Sequence, residues 1–219
     1  MFRDRSQVGQ LLADRVIRLQ EISEPIVFAI PRGGVPVAKE IAVVLGAPLD
    51  LVITRKIGCP GQPEFAVGAV SQDGEVIINQ ETVSMLGISE KYLHSEASRQ
   101  TQEIHERMRK YLGYHPFSDL RRRSVIIVDD GVATGNTMIA AIRFLRRKNP
   151  KNIIVAVGVA PPETVTRLAR VADKVVCLET PEPFFAIGEF YENFEQVEDE
   201  EVKRILFDVN SKHDLQKVA

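Results

Sequence analysis

Asp129 and Asp130 stand side by side, and directly after them come Gly131, Val132, Ala133, Thr134, Gly135, Asn136 and Thr137. Two adjacent carboxylates suit sugar hydroxyls or a Mg²⁺ ion. A run of glycine, small and hydroxyl residues suits an anion, because glycine lets backbone N–H groups come close, and Thr134 and Thr137 add hydroxyl donors. The surroundings strengthen this reading. Residues 125–128 are Val-Ile-Ile-Val, a short β-branched run that predicts a buried strand. Thr137 is placed to cap the apolar helical pattern that follows. A loop between a strand end and a helix start binds anions through N–H groups that lack intrahelical partners, and the helix dipole favours negative charge there. Carboxylates beside a phosphate cradle would repel the ligand unless they face another part of it. A ligand with both phosphate and vicinal hydroxyls satisfies both halves. A Walker A loop does not fit, since three residues separate Gly131 and Gly135 and Asn136 stands where a lysine is required. A dinucleotide fingerprint lacks its third glycine.

The same strand–loop–helix plan occurs earlier. Residues 26–30 read as a strand, Pro31-Arg32-Gly33-Gly34 as a turn, and residues 35–45 as a helix with Pro36 in its first turn and Gly46 as its stop. Two adjacent glycines can turn N–H groups toward an anion, and Arg32 supplies a cation. Residues 49–54 predict a third strand that ends in Arg55-Lys56, cations placed where open α/β sheets bind ligands. They could neutralise a phosphate-containing group.

Other stretches must position these residues. Val8, Leu11, Leu12, Val16 and Leu19 share a helical face, with Ser6 as cap, and this first helix reads as packing. Residues 58–65 contain two glycines and two prolines and predict no regular element. Residues 66–71 and 75–79 predict a hairpin around Gln72-Asp73-Gly74. Residues 89–112 hold a long helical pattern whose His94 and His105, about three turns apart, cannot share a metal. Residues 113–118 read as a loop. After the central stretch come a helix over 138–148, a strand over 153–159, a helix over 162–171 and a strand over 174–178. This alternation predicts a mostly parallel sheet with helices on both faces. Pro181 and Pro183 then open an aromatic tail with Phe184, Phe185, Phe190, Tyr191 and Phe194. Residues 198–207 predict a closing helix with acids in its first turn, and residues 211–219 a fraying end.

Composition excludes several classes. The chain has 219 residues, 44% apolar and 26% charged, with a formal net charge of −2. That balance gives no global attraction to nucleic acid or an anionic membrane, and the Arg121-Arg122-Arg123 run reads as a solvated loop. Cys59 and Cys177 are too few for a disulfide framework and fit a reducing, cytoplasmic setting. No histidine neighbours Cys59, which argues against a nucleophile. No apolar run reaches membrane-span length, and the first residues lack the apolar core of a signal peptide.

The run over residues 125–137, V-I-I-V-D-D-G-V-A-T-G-N-T, resembles the 5-phosphoribosyl-1-pyrophosphate (PRPP) signature of the type I phosphoribosyltransferases. Gly131 departs from the aliphatic residue that many members carry. With R-G-G-V, R-K-I-G and P-E-F-A-V-G-A-V, the stretch from about 26 to 178 is most similar to a stand-alone bacterial subgroup of that family. The resemblance implies one α/β domain over 1–219. It would have a core at about 26–178, a flexible loop or hairpin at about 57–80 that closes over PRPP, and a C-terminal hood at about 179–207. It also implies a PRPP site of Arg32, Gly33, Gly34, Arg55, Lys56, Asp129, Asp130, Gly131, Val132, Ala133, Thr134, Gly135, Asn136 and Thr137. The 31–34 turn is often a non-proline cis peptide in the family. Arg32, Arg55, Lys56, Asp129 and Asp130 would carry catalysis. Mg²⁺ would be held mainly by PRPP and water, with Asp129 or Asp130 as the available protein ligand. Phe184 and Phe185 are candidates to stack on the acceptor, a small nitrogenous molecule, and homo-oligomers are open. The alternative from another class is a PRPP-binding regulator on the same fold, which keeps the phosphate loop but can lose the pyrophosphate cations. The presence of Arg32, Arg55 and Lys56 favours the enzyme.

Overall fold

The computed structural model describes residues 1–112 and 119–218, so the loop expected over 113–118 lies outside the described residues. In chain order the elements are α1 (Arg5–Val16), β1 (Ile26–Ala29), α2 (Gly34–Leu45), β2 (Leu49–Leu51), β3 (Arg55–Cys59), β4 (Gln62–Val70), β5 (Val76–Ile78), α3 (Gln80–Met85) and α4 (Glu90–Leu112). Then follow β6 (Ser124–Gly131), α5 (Asn136–Arg146), β7 (Asn152–Val159), α6 (Pro162–Ala169), β8 (Lys174–Glu179), a 3-10 turn over Ile187–Phe190, and α7 (Asp199–Val218).

Five strands form a wholly parallel sheet in the order β2-β1-β6-β7-β8. Alternate residues of a strand face opposite sides, and here they feed two cores. Val27, Ala29, Ile126, Val128, Ile154 and Ala156 pack with α1, α2 and α7 on one side. Ile26, Phe28, Val125, Ile127, Ile153, Val155 and Val157 pack with α5 and α6 on the other. The expected α/β architecture with helices on both faces is therefore the observed one. A sheet buried on both faces reads as continuous apolar runs, which is why residues 125–128 stand out. No described helix is long and apolar enough to cross a membrane.

The structure corrects several local expectations. Residues 58–65 are not irregular: β3, β4 and β5 form a second, antiparallel sheet, and only Pro60 and Gly61 separate β3 from β4. Register shifts at Ile57–Gly58–Cys59 absorb the glycine-rich sequence as a bulge. Arg55 and Lys56 open β3 instead of ending a strand of the main sheet. The cap of α1 is Asp4, which accepts from the Gln7 N–H at 2.8 Å; Ser6 instead donates to Glu40 at 2.9 Å. Thr137 lies inside α5, whose N-cap is Gly135. Residues 80–85 form an unforeseen helix, capped by Asn79. The closing helix runs on through 218, since Asn210 exchanges hydrogen bonds with the backbone of Leu49 and anchors it to the sheet edge.

Candidate functional site

Strand β6 delivers the site. Its last residues, Asp129, Asp130 and Gly131, leave the sheet beside β7, and the Val132 N–H still bonds to the Val159 carbonyl at 2.8 Å. Val132 buries its side chain in the second core, which pins the loop between it and α5. Gly135 follows with φ +79, a left-handed conformation that L side chains disfavour. Helix α6 braces this loop from behind. Thr164, almost wholly buried, donates its hydroxyl to the Ala133 carbonyl at 2.6 Å, and Arg167 donates to the Thr134 carbonyl at 2.7 Å and to Asn136 Oδ1 at 3.1 Å. In a planar trans peptide the C=O and the following N–H point opposite ways. Turning both carbonyls toward α6 therefore turns the N–H groups of Thr134 and Gly135 away from it.

Away from α6 lies a pocket lined by Lys56, Asp129, residues 131–135, Thr137, Met138 and Ile187. The loop residues expected at an anion site thus share one cavity with one acid and one cation, except Asn136, whose Oδ1 faces Arg167. The Asp129 carboxyl is pushed well above the usual carboxylate range by burial and by the neighbouring Asp130 charge. Its Oδ1 accepts the Asp130 N–H at 2.9 Å. As a hard oxygen donor on a pocket wall, Asp129 fits a Mg²⁺ ion shared with phosphate oxygens, which typically takes one or two carboxylates and keeps its other ligands from substrate and water.

Three expected site residues point elsewhere. Asp130 turns from the pocket, and its Oδ2 accepts from Arg5 Nε at 2.7 Å. Arg55, on the opposite face of β3 from Lys56, hydrogen-bonds to Gln100 at 2.8 Å and pairs with Glu103, both on α4. Arg32 lies 3.6 Å from Asp199 and 3.9 Å from Glu198, at the start of α7. Asp199 also takes hydrogen bonds from Lys110 and Tyr111, which hold its carboxyl low, at about 2, while burial and Asp199 push the Tyr111 hydroxyl up to about 12. The 31–34 turn does contain the cis peptide, at Pro31–Arg32. It presses on β6: a Cβ on Gly33 would lie 2.1 Å from Asp130 Oδ2, and one on Gly34 would lie 2.6 Å from the Val128 carbonyl oxygen. The Gly34 N–H is already bonded to the Ile30 carbonyl at 3.1 Å.

Of the two hood aromatics, Phe184 stacks on Phe190 with centroids 5.4 Å apart, and Phe185 stands 78% exposed. Neither lines the pocket; Ile187 does. Ile187 also explains the departure at Gly131. A Cβ there would lie 2.6 Å from Ile187 Cγ2 and 2.9 Å from Val159 Cγ1, so the isoleucine fills the space an aliphatic side chain would need. Sequence reasoning missed Arg5, Thr164, Arg167, Ile187 and Tyr191, whose hydroxyl donates to the Asp130 carbonyl at 2.6 Å. The one available signal was the crowding of aromatics after Pro183.

The chain matches the phosphoribosyl transferase domain family over residues 6–194. It is 39% identical, over 206 residues and 94% of its length, to a protein named "Putative phosphoribosyl transferase" in each of two Mycobacterium tuberculosis strains, CDC 1551 / Oshkosh and H37Rv. The matched stretch is 46% of those proteins, so the chain spans about half the length of the curated relatives it matches. Among solved structures, TT1426 from Thermus thermophilus is similar at 42% identity and a TM-score of 0.81, covering 94% of this chain and 98% of that one.

Proposed function

The chain belongs to the phosphoribosyl transferase family, and from that premise we propose that it binds PRPP with Mg²⁺ and moves the ribosyl-5-phosphate group to a nitrogenous acceptor, releasing pyrophosphate. The observation that carries this reading is the shared cavity of Lys56, Asp129, residues 131–135 and Thr137. The loop would take the 5′-phosphate through its outward N–H groups and the Thr134 and Thr137 hydroxyls. The acid pair would mark the ribose end, and Lys56 the pyrophosphate end. As the C1–O bond breaks, its electron pair leaves with pyrophosphate, positive charge develops on the sugar, and the acceptor nitrogen bonds to C1 while its N–H proton passes to water. Asp129 stabilises that positive charge, and Lys56 offsets the negative charge on the leaving group. Mg²⁺, shared between the ligand and Asp129, would add countercharge at the leaving group. Lys56 of β3 and Ile187 of the hood would flank the cationic sugar and limit the approach of water.

A second reading, a PRPP-binding regulator, is favoured by one observation: Arg32 and Arg55, two of the three cations expected at pyrophosphate, are engaged by carboxylates of the protein itself. One experiment separates the two. The protein is incubated with Mg²⁺ and PRPP against a panel of nucleobases and amines, with pyrophosphate release as readout and PRPP binding measured in parallel. Release with a particular acceptor supports the transferase. Binding without release from any acceptor supports the regulator, and absence of binding contradicts both.

A further inference from the structure

Helix α6 contributes no residue to the pocket, yet two of its side chains reach the loop between β6 and α5. They hold three of that loop's acceptors: the Ala133 carbonyl takes Thr164 Oγ1 at 2.6 Å, the Thr134 carbonyl takes Arg167 Nη1 at 2.7 Å, and Asn136 Oδ1 takes Arg167 Nη2 at 3.1 Å. Helix geometry gives these bonds a meaning. An α-helical N–H bonds to the carbonyl four residues back. The Ile139 N–H does so, on the Gly135 carbonyl at 2.8 Å. One step further back, the helical partners of the Met138 and Thr137 N–H groups would be the carbonyls of Thr134 and Ala133, the two that α6 takes. Asn136 Oδ1 is a third competitor, because an asparagine side chain readily bonds to backbone N–H groups nearby. Three groups able to quench the first donors of α5 from within the loop are thus drawn to α6.

We propose that Arg167 and Thr164 are positioning residues for the phosphate: they keep α5 from winding back into the loop and so hold its first N–H groups open to an anion. The inference rests on the reading of the pocket as a phosphate site and goes beyond it by tracing the loop's donor capacity to a helix outside the pocket. The two residues work differently. Thr164 is 1% exposed, so packing fixes it as a peg against the turn, and a Cβ on Gly135 would lie 3.3 Å from its Cγ2. Arg167 is exposed. Its planar fork spans a carbonyl and a side-chain oxygen two residues apart, which the single point charge of lysine does not hold in fixed geometry. Its charge strengthens both bonds. Because Arg167 is exposed, its replacement opens no cavity in the core, and the effect on ligand affinity separates from the effect on stability.

The test needs no acceptor. Inorganic phosphate and ribose 5-phosphate are titrated calorimetrically into the full chain and into five variants: Arg167→Gln, Arg167→Lys, Thr164→Val, Thr164→Ser and Arg170→Gln. Thermal unfolding of each is followed alongside, with amide hydrogen exchange of the ligand-free proteins read by NMR. Arg170 stands one residue past α6 and has no side-chain hydrogen bond to the loop among the described residues, so its variant controls for charge alone. Arg167→Gln should weaken both ligands about tenfold, the scale on which lost outer-shell support weakens a bound ion. Thr164→Val should cost about threefold, within the range of one hydrogen bond. Thr164→Ser, which keeps the hydroxyl, and Arg170→Gln should stay within about twofold of the unsubstituted protein. Arg167→Lys should recover part of the loss. In ligand-free Arg167→Gln the Met138 amide should exchange more slowly, because the freed Thr134 carbonyl engages it; a merely structural loosening would speed that exchange. Unchanged affinity in Arg167→Gln, an equal loss in Arg170→Gln, full recovery in Arg167→Lys, or faster exchange at Met138 would each overturn the inference and leave the phosphate reading intact. If Arg167→Gln failed to fold, the threonine pair would decide, and equal affinities for Thr164→Val and Thr164→Ser would overturn it. If the unsubstituted protein bound neither ligand, the phosphate reading would itself fall, and this inference with it.

Discussion

Two turns in this molecule share one local plan: a buried strand, a glycine-containing turn, a helix. After β6 the loop leads over residues 132–135 into α5; after β1 it leads over residues 30–33 into α2. Their surroundings make them different devices. The first is held from behind by Thr164 and Arg167, which take its carbonyls and leave its N–H groups facing a cavity. The second packs directly against β6. Gly33 and Gly34 touch that strand, the Gly34 N–H closes on Ile30, and Arg32 reaches to Asp199. The lesson is that a glycine turn at a helix start offers donors only when something else consumes its carbonyls and nothing fills the space in front. We propose that residues 131–135 and Thr137 meet the ligand, while the 31–34 turn packs against Asp130.

The largest effect should come from closing the tighter of the two turns. Gly33→Ala sets a methyl group into the space of Asp130 Oδ2, and should lower unfolding stability by about 1–3 kcal/mol, the usual cost of overpacking. Gly135→Ala keeps more room, its nearest contact being 3.3 Å to Thr164 Cγ2, but must bear φ +79, at about 1–2 kcal/mol. Denaturant titrations of both, with phosphate binding measured in parallel, break the comparison if Gly33→Ala loses more phosphate affinity than Gly135→Ala does.

A second, smaller effect separates the two cations of β3. Lys56→Ala should weaken PRPP binding about tenfold, roughly the 1.4 kcal/mol of one charge-assisted contact. Arg55→Ala should chiefly lower the melting temperature, because its guanidinium serves α4 through Gln100 and Glu103. Calorimetry showing the reverse order would mean that Arg55 leaves α4 when ligand arrives.

The smallest effect concerns the hold of α7 on the 31–34 turn. Asp199 has its carboxyl lowered to about 2 from an ordinary 3.8, chiefly by hydrogen bonds from Lys110 and Tyr111. A lowered folded-state value favours the ionised form, so the stabilisation is present above the ordinary value and fades as pH falls toward about 2. Asp199→Asn should therefore cost up to about 1 kcal/mol at neutral pH, allowing for solvent screening, and nothing at the acid end. Arg32 keeps Glu198 at 3.9 Å in that variant, so PRPP affinity should stay level. A stability gap that persists unchanged at the lowest pH would remove Asp199 from the account.

The sequence made the parallel sheet and the 124–137 stretch legible because both are local: β-branched runs buried on two faces, and a loop whose residue types have few other uses. What it hid depends on distant partners. Arg5 lies on a helix whose apolar face explains that helix fully, and its carboxylate is 125 residues away. Gly131 reads as a defect until Ile187 is placed against it. Arg55 and Lys56 look like a pair until the start of β3 puts them on opposite faces. Residues 58–65 carry turn-type composition that a bulge and one tight turn accommodate within strands.

The central claim, that the pocket of Asp129, residues 131–135, Thr137 and Lys56 is a Mg²⁺–PRPP site, is tested most directly by thermal unfolding with and without PRPP. A ligand that binds only the native state stabilises it by about 2.7 kcal/mol at a hundred times its dissociation constant. The account predicts a rise in melting temperature with Mg²⁺ and millimolar PRPP that shrinks in both Lys56→Ala and Asp129→Asn. An unchanged melting temperature for the unsubstituted protein would contradict it.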